Sequence, residues 1–150
     1  MKLYLETSVW SYLLADHLPD KQAATRELID QKRAVHEFFV SALVIEELSR
    51  TRDEDRRGKL LQAIQEAEPM NLPPVPEVVE ISGKILDLGI LTERSQNDAI
   101  HIAFAIVHGM DAVVSWDTRH IVRLKTKRGI SAVCRLFGYR EVEVVTPEEV

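Results

Sequence analysis

The sequence predicts an α/β fold in which a central parallel sheet carries helices on both faces. Short apolar runs of strand character alternate along the chain with stretches of helical periodicity, the order produced by parallel strands joined through crossover helices. The 150 residues are 45% hydrophobic and 29% charged, which is enough for one well-packed core. No linker divides them, so residues 1–150 read as a single domain.

Lys2–Leu5 opens the chain as a strand. Ser8–Ala15 places Val9, Trp10, Leu13 and Leu14 at helical spacing. Pro19-Asp20 starts a second helix that runs to about Lys32, with Ala24, Leu28 and Ile29 on one face. Ala34–Val40 suits a second strand through Val35, Phe38, Phe39 and Val40. Ser41 is a good N-cap for the helix carrying Glu46, Glu47 and Leu48. Residues 54–67 form an amphipathic helix with Leu60, Leu61 and Ile64 inward. The segment Asn71-Leu-Pro-Pro-Val-Pro76 reads as a loop. Glu77–Leu88 repeats Val78, Ile81, Ile85 and Leu88 at threes and fours, and Gly89 stops it. Asn97–His108 is apolar nearly all round, as a helix buried between layers must be, and ends at Gly109. Ala112–Ser115 is a strand, Arg119–Phe137 a broken helix ending at Gly138, and Glu141–Val145 the last strand.

Composition excludes several classes. One cysteine, Cys134, cannot form an internal disulfide, so a disulfide scaffold is ruled out and a reducing, cytoplasmic setting is expected. The apolar runs Ala42–Ile45 and Ile102–Val107 are too short to cross a bilayer, and Met1–Glu6 meets an acid too early for a signal-peptide core. Twenty-four acids against nineteen bases give a net charge of −5, which argues against coating nucleic acid by bulk charge. Handling nucleic acid through bound metal is still open to such a chain.

In open α/β sheets the ligand site lies beyond the carboxyl ends of the strands, near the reversal of strand order. Glu6-Thr7-Ser8 follows the first strand, and Trp116-Asp117-Thr118 follows the strand begun at Ala112. Asp98 lies in the first turn of the buried helix, where a charge is expensive without a partner. Glu47 sits among Ala42, Leu43, Val44, Ile45 and Leu48. Glu46 competes with it, but neighbours on a helix point about 100° apart, so only one can face the site. Taken singly, each acid has a plain reading: a solvated surface group for Glu6 or Glu47, a helix-start acid for Asp98, a turn residue for Asp117. Converging carboxylates repel and raise one another's pKa, and a divalent cation resolves the conflict. Oxygen ligation suits Mg²⁺ or Mn²⁺, and no Cys/His spacing fits zinc. Such a site suits phosphodiester hydrolysis: the metal ionises a water and neutralises phosphoryl charge, and two ions about 4 Å apart clamp the attacking and leaving oxygens. Thr7, Ser8 and Ser115 stand beside the carboxylates as supporting groups.

Four segments resemble the PIN-domain family in order. They are Tyr4-Leu-Glu-Thr-Ser-Val-Trp10, Ser41-Ala-Leu-Val-Ile-Glu-Glu-Leu48, Asn97-Asp-Ala-Ile-His-Ile-Ala103 and Val113-Val-Ser-Trp-Asp-Thr-Arg-His-Ile121. Gly138-Tyr139 and Thr146-Pro-Glu-Glu-Val150 resemble the tail of one subgroup. The resemblance implies a Rossmann-like three-layer α/β/α sandwich and an Mg²⁺- or Mn²⁺-dependent ribonuclease, with Glu6, Glu47, Asp98 and Asp117 as the catalytic, metal-binding acids. It also implies the VapC-type toxins of toxin–antitoxin pairs, and hence an RNA substrate, an antitoxin partner and a homodimer. The first acid of the family is usually Asp and is Glu6 here, one methylene longer; the fourth is often Asn in this subgroup and is Asp117 here. The alternative the resemblance leaves is a PIN-like module of weak or absent activity that binds RNA or a protein partner. A phosphotransfer receiver does not fit, because Glu6 cannot serve as the phosphorylated Asp and no paired Asp follows it.

Arg119, Arg123, Lys125, Lys127 and Arg128 form a dense basic run just after Asp117, placed to contact RNA phosphates at the edge of the cleft. An exposed helix face is the plainer reading. Arg50, Arg52, Arg56 and Arg57 are a second, weaker candidate. His101, three residues past Asp98, is expected to be a satisfied core histidine, and His120 a site-edge group or part of the basic run. Trp10, Trp116 and Cys134 are expected in packing, with Trp116 also able to wall the cleft.

Overall fold

Each stretch of strand character in the sequence ends up paired in one sheet, and each helical stretch lies across it. In order, the computed structural model of Met1–Val150 contains β1 (Lys2–Leu5), α1 (Thr7–Tyr12), α2 (Pro19–Gln31), β2 (Glu37–Ser41), α3 (Ala42–Ser49), α4 (Glu54–Ala67), β3 (Met70–Leu72), α5 (Pro76–Asp87), α6 (Gln96–Val107), β4 (Ala112–Val114), α7 (Leu124–Phe137) and β5 (Glu143–Val145). Short 3₁₀ turns cover Lys32–Ala34, Glu93–Ser95 and Pro147–Glu149.

All the strand pairs are parallel, in the order β3-β2-β1-β4-β5. The steps β1→β2→β3 run one way across the sheet and β3→β4→β5 run the other. Right-handed crossovers therefore put α1–α4 on one face and α5–α7 on the opposite face. The packing agrees: α1 touches α2, α3 and α4, whereas α5 packs on α6 and α7. The result is a three-layer α/β/α sandwich. The central strands β1 and β4 are buried on both sides (Leu3, Tyr4, Leu5; Ala112, Val113, Val114), which is why both are apolar rather than alternating. The chain leaves β1 toward β2 on one side, while β4 flanks it on the other. The switch point therefore lies at the carboxyl ends of β1 and β4.

Four local expectations need correction. Strand β2 begins at Glu37, not Ala34, because its neighbour begins at Lys2, which pairs with Glu37; Val35 has no strand to pair with and is exposed. The stretch expected as a loop starts as β3, with Met70, Asn71 and Leu72 pairing with Phe39, Val40 and Ser41. The edge strand stops where Pro73 and Pro74 supply no N–H. Helix α7 starts at Leu124 instead of Arg119, because Asp117 Oδ1 accepts the backbone N–H groups of Arg119 and His120 (2.9 Å each) and folds that stretch into a turn. Ser41 occupies the N-cap position of α3 but does not cap it; its hydroxyl is committed to Tyr4.

Gly138 ends α7 in the left-handed conformation (φ 74°), with the Tyr139 N–H closing on the Cys134 carbonyl at 2.8 Å. Gly129, inside α7, has a different reason. A Cβ there would lie 2.6 Å from both Cγ atoms of the buried Ile90, so a hydrogen is all the α7 backbone can present at that point. Gly129→Ala is expected to destabilise the fold by about 1–3 kcal/mol through overpacking, despite alanine's better helix propensity. Urea titration of Gly129→Ala, Ile90→Ala and the double variant checks this. Additive costs would show that the two positions do not press on each other.

Candidate metal centre

Glu6 follows β1 directly and caps α1. Its Oε2 accepts the Ser8 backbone N–H (3.0 Å), the Ser8 hydroxyl (2.5 Å) and the Ser115 hydroxyl (2.9 Å). The longer side chain thus folds back on its own helix. The two serines in turn accept backbone N–H groups from the β4 loop, Ser8 from Trp116 (2.8 Å) and Ser115 from Asp117 (2.9 Å). One carboxylate oxygen thereby joins the ends of the two central strands. Oε1 is left with no protein donor.

Glu47, one turn into α3, faces the site, while Glu46 points away and pairs with Arg50 on the surface. Oε1 of Glu47 accepts from the Thr7 hydroxyl (2.8 Å) and from His101 Nε2 (2.5 Å), and Oε2 accepts from Asn97 Nδ2 (3.2 Å). Behind His101, Nδ1 meets the Tyr4 hydroxyl at 2.7 Å, and that hydroxyl meets Ser41 Oγ at 2.7 Å. A neutral imidazole satisfies every atom if Ser41 donates to Tyr4, Tyr4 to His101 Nδ1, and His101 Nε2–H to Glu47. Burial pushes the Tyr4 hydroxyl far above its usual range, so the phenol keeps its proton. Burial also pushes Glu47 upward, but the hydrogen bond from His101, with the bonds from Thr7 and Asn97, outweighs it and holds the carboxyl below its ordinary range.

Asp98 has the opposite surroundings. It lies in the first turn of α6 with its side chain only 22% exposed. No hydrogen bond is donated to it; its nearest ionic neighbour is His120 Nδ1 at 3.9 Å. Burial, then the charges of Asp117 and Glu6, push its carboxyl up to about 6. Asp117 accepts the two turn N–H groups on Oδ1 and His120 Nδ1 on Oδ2 (3.0 Å). The turn reading and the site position for Asp117 are therefore both realised, by different oxygens.

The four acids gather as two neighbouring groups, Glu6–Glu47–His101 and Asp98–Asp117–His120, within each of which the ligand atoms lie within 4.8 Å of one another. The repulsion of Asp98 by Glu6 shows that the groups are electrostatically joined. None of the four is ion-paired to a lysine or arginine; the basic groups within ion-pair distance of them are His101 and His120. A half-buried carboxylate without donors, facing two more carboxylates, needs a proton or a cation. Carboxylates in this arrangement, each group with a histidine beside it, fit a divalent cation.

Sequence reasoning placed the four acids and the supporting Thr7, Ser8 and Ser115 here. It missed Tyr4, Ser41 and Asn97 as Glu47's support and left His101 as a core histidine. His101 is indeed buried, but it is also bonded to the site. A buried Tyr or His must find a polar partner, and that demand was the available signal. The basic run separates: Arg119 borders Asp117, Arg123 bonds Thr126 (3.3 Å), Lys127 lies near Glu149 (3.9 Å), and Lys125 and Arg128 are exposed on α7. In the second basic candidate, Arg50 pairs with Glu46, Arg56 is spent on the Ser11 and Leu14 carbonyls and Arg57 on that of Thr51; only Arg52, exposed, has no such partner.

The PIN domain family model matches residues 3–126. No curated protein matches the chain. Among solved structures, VapBC2 from Rickettsia felis, bound to a DNA fragment from their promoter, is similar at 16% identity with a TM-score of 0.61, covering 97% of this chain and 98% of that one. VapBC-1 from nontypeable Haemophilus influenzae is similar at 14% identity with a TM-score of 0.57, covering 88% and 94%.

The raised Asp98 carboxyl makes stability depend on pH. Between about pH 4 and 6 the folded protein holds a proton that the unfolded chain, with an ordinary value of 3.8, has released. Metal-free stability therefore falls as pH rises through this window, by at most about 3 kcal/mol in all. Asp98→Asn should stabilise the metal-free protein at pH 8 by up to that amount and leave it nearly unchanged at pH 4. Urea unfolding in EDTA at the two pH values measures it, and an equal effect at both would contradict the assignment.

Proposed function

The chain belongs to the PIN-domain family, and from that premise we propose that it is a divalent-metal-dependent endoribonuclease of the VapC type, the toxin of a toxin–antitoxin pair. PIN domains are generally nucleases that use divalent metal ions. The observation that carries the reading for this chain is Asp98: half-buried, without a hydrogen-bond donor, and facing Asp117 and Glu6. We read residues 1–150 as one such domain, acting in the cytoplasm as a homodimer with a protein antitoxin. No helix is long and apolar enough to cross a membrane.

In this reading Asp98, Asp117 and the free Oε1 of Glu6 would hold Mg²⁺ or Mn²⁺. Glu47 adds negative charge and a remaining lone pair on Oε2, since Oε1 is shared between Thr7 and His101. A bound ion would supply a water that ionises at neutral pH and would offset charge on the phosphoryl oxygens. The protein keeps the carboxylates in place beforehand. Ser8 and Ser115 fix Glu6, the His101–Tyr4–Ser41 chain fixes Glu47, and the 118–121 turn fixes Asp117. The placing of charges in advance is what lets such a site act without reorganising.

A second reading, a PIN-like module with little or no catalysis, is favoured by one feature. Glu6 is turned back onto Ser8, and Mg²⁺ demands near-ideal octahedral geometry.

Purified protein with Mn²⁺ is expected to cleave members of a broad RNA panel. Asp98→Asn or Asp117→Asn should each slow cleavage at least about 100-fold, since several kcal/mol of charge stabilisation is at stake. Wild-type protein that cleaves nothing in the panel would sink the nuclease reading. Glu6→Asp separates the two readings: a large gain in cleavage identifies a decayed site, and unchanged or lower cleavage identifies one tuned to glutamate.

A further inference from the structure

Beside Asp117 a cleft of about 430 Å³ runs outward, lined by Ser8, Tyr12, Lys21, Trp116, Thr118 and Arg119. The Tyr12 and Trp116 rings stack along it, with centroids 5.5 Å apart and an 18° tilt. Lys21 Nζ lies over both, 5.1 Å from the Trp116 centroid and 5.6 Å from that of Tyr12. Neither Lys21 nor Arg119 has a carboxylate within ion-pair distance, although the chain carries more acids than bases. Two cations without counter-ions on the walls of one cleft attract an anion. The cleft leads directly to the carboxylates, with Ser8 touching both Glu6 and the Trp116 backbone.

Lys21 is held in position by buried chemistry. The Trp116 indole N–H donates to Thr25 Oγ1 (2.8 Å), and that fully buried hydroxyl donates to the Lys21 carbonyl (2.7 Å) one turn back along α2. The β4 loop that carries Asp117 and the helical turn that carries Lys21 are thus clamped by a single threonine. With its ammonium resting on a rigid aromatic pair, Lys21 gives up less side-chain freedom on meeting a ligand than a free surface lysine does.

We propose that Lys21 and Arg119 form a subsite for the backbone phosphate next to the scissile one in a single-stranded RNA. The Tyr12–Trp116 pair is its aromatic wall and sets the position of Lys21. The proposal rests on the nuclease reading and names the residues that hold the strand beside that centre. A phosphate here is gripped from two sides, so the strand is oriented before its neighbouring phosphate reaches Asp98 and Asp117.

The test reads binding apart from cleavage. Fluorescence anisotropy of a labelled single-stranded RNA, in EDTA at several salt concentrations, is compared for wild type, Lys21→Ala, Arg119→Ala, Lys21→Arg and Lys84→Ala. Cleavage of the same RNA in Mn²⁺ is followed in parallel. Lys21→Ala and Arg119→Ala should each weaken binding about fivefold and lower the slope of log K against log salt by roughly 0.7, as expected when one phosphate of a single strand is no longer neutralised. Lys21→Arg should retain most of the binding, and Lys84→Ala, far from the cleft, should match wild type. In Mn²⁺ the two alanine variants should raise KM far more than they lower kcat. Alanine variants that bind with wild-type affinity and salt slope overturn the subsite, as does wild-type protein with no measurable RNA binding in EDTA. Should the variants instead lose binding of an acidic protein partner while RNA binding is unchanged, the subsite is equally overturned. RNA binding that depends on Lys21 and Arg119 without any cleavage in Mn²⁺ would uphold the subsite while removing the nuclease reading.

Discussion

The fold brings carboxylates together at the carboxyl ends of β1 and β4 without giving them counter-ions, and much of the surrounding structure is explained by that one constraint. Like charges in a half-buried site cost free energy unless each receives donors, a proton or a cation. Glu6 receives three donors on one oxygen from Ser8 and Ser115. Asp117 receives two backbone N–H groups and His120. Glu47 receives Thr7, His101 and Asn97. Asp98 alone receives none, and burial, followed by the charges of Asp117 and Glu6, raises its pKa.

Glu47 and Asp98 show how the same functional group is driven opposite ways by its neighbours. Both are partly buried, and burial raises each. Glu47 nevertheless ends below its ordinary range because three donors point at it, and Asp98 ends near 6 because none does. In the metal-dependent reading, an ion would gain most from the carboxylate that the protein has left unsatisfied, Asp98, while Glu47, already held by its donors, would serve as a fixed wall.

The fold class, and the place where the acids gather, were legible in the sequence because both follow from pattern. Alternating strand and helix periods imply parallel strands, and parallel strands place ligands at their carboxyl ends, so Glu6 and Asp117 stood out by position alone. Glu47 was separable from Glu46 only by direction around a helix, which the structure decides through Arg50 and His101. What pattern could not show were contacts between residues far apart in sequence. Ser41 has the composition of an N-cap, but the Tyr4 hydroxyl, 37 positions away, took its side chain. The basic run after Asp117 looked like one patch, yet the turn nucleated by Asp117 leaves Arg119 at the cleft and carries Lys125 and Arg128 away on α7. Lys21 was invisible as a site residue because nothing local marks it; the Trp116–Thr25 bond that delivers it spans 91 positions.

The departure at Glu6 fits this division of roles. An aspartate at the end of β1 could also cap α1, since aspartate is among the preferred N-cap residues. Glu6 uses Oε2 to cap α1 and to join Ser8 with Ser115 while Oε1 has no protein donor. Its two oxygens thus have different surroundings, one a structural clasp between β1 and β4 and the other an open acceptor. Removing the clasp would loosen Ser8 and Ser115 together, and with them the Trp116 and Asp117 backbone they hold. Because Trp116 also anchors Thr25 and the Lys21 turn, the geometry of the acids and of the neighbouring cleft is set through the same carboxylate.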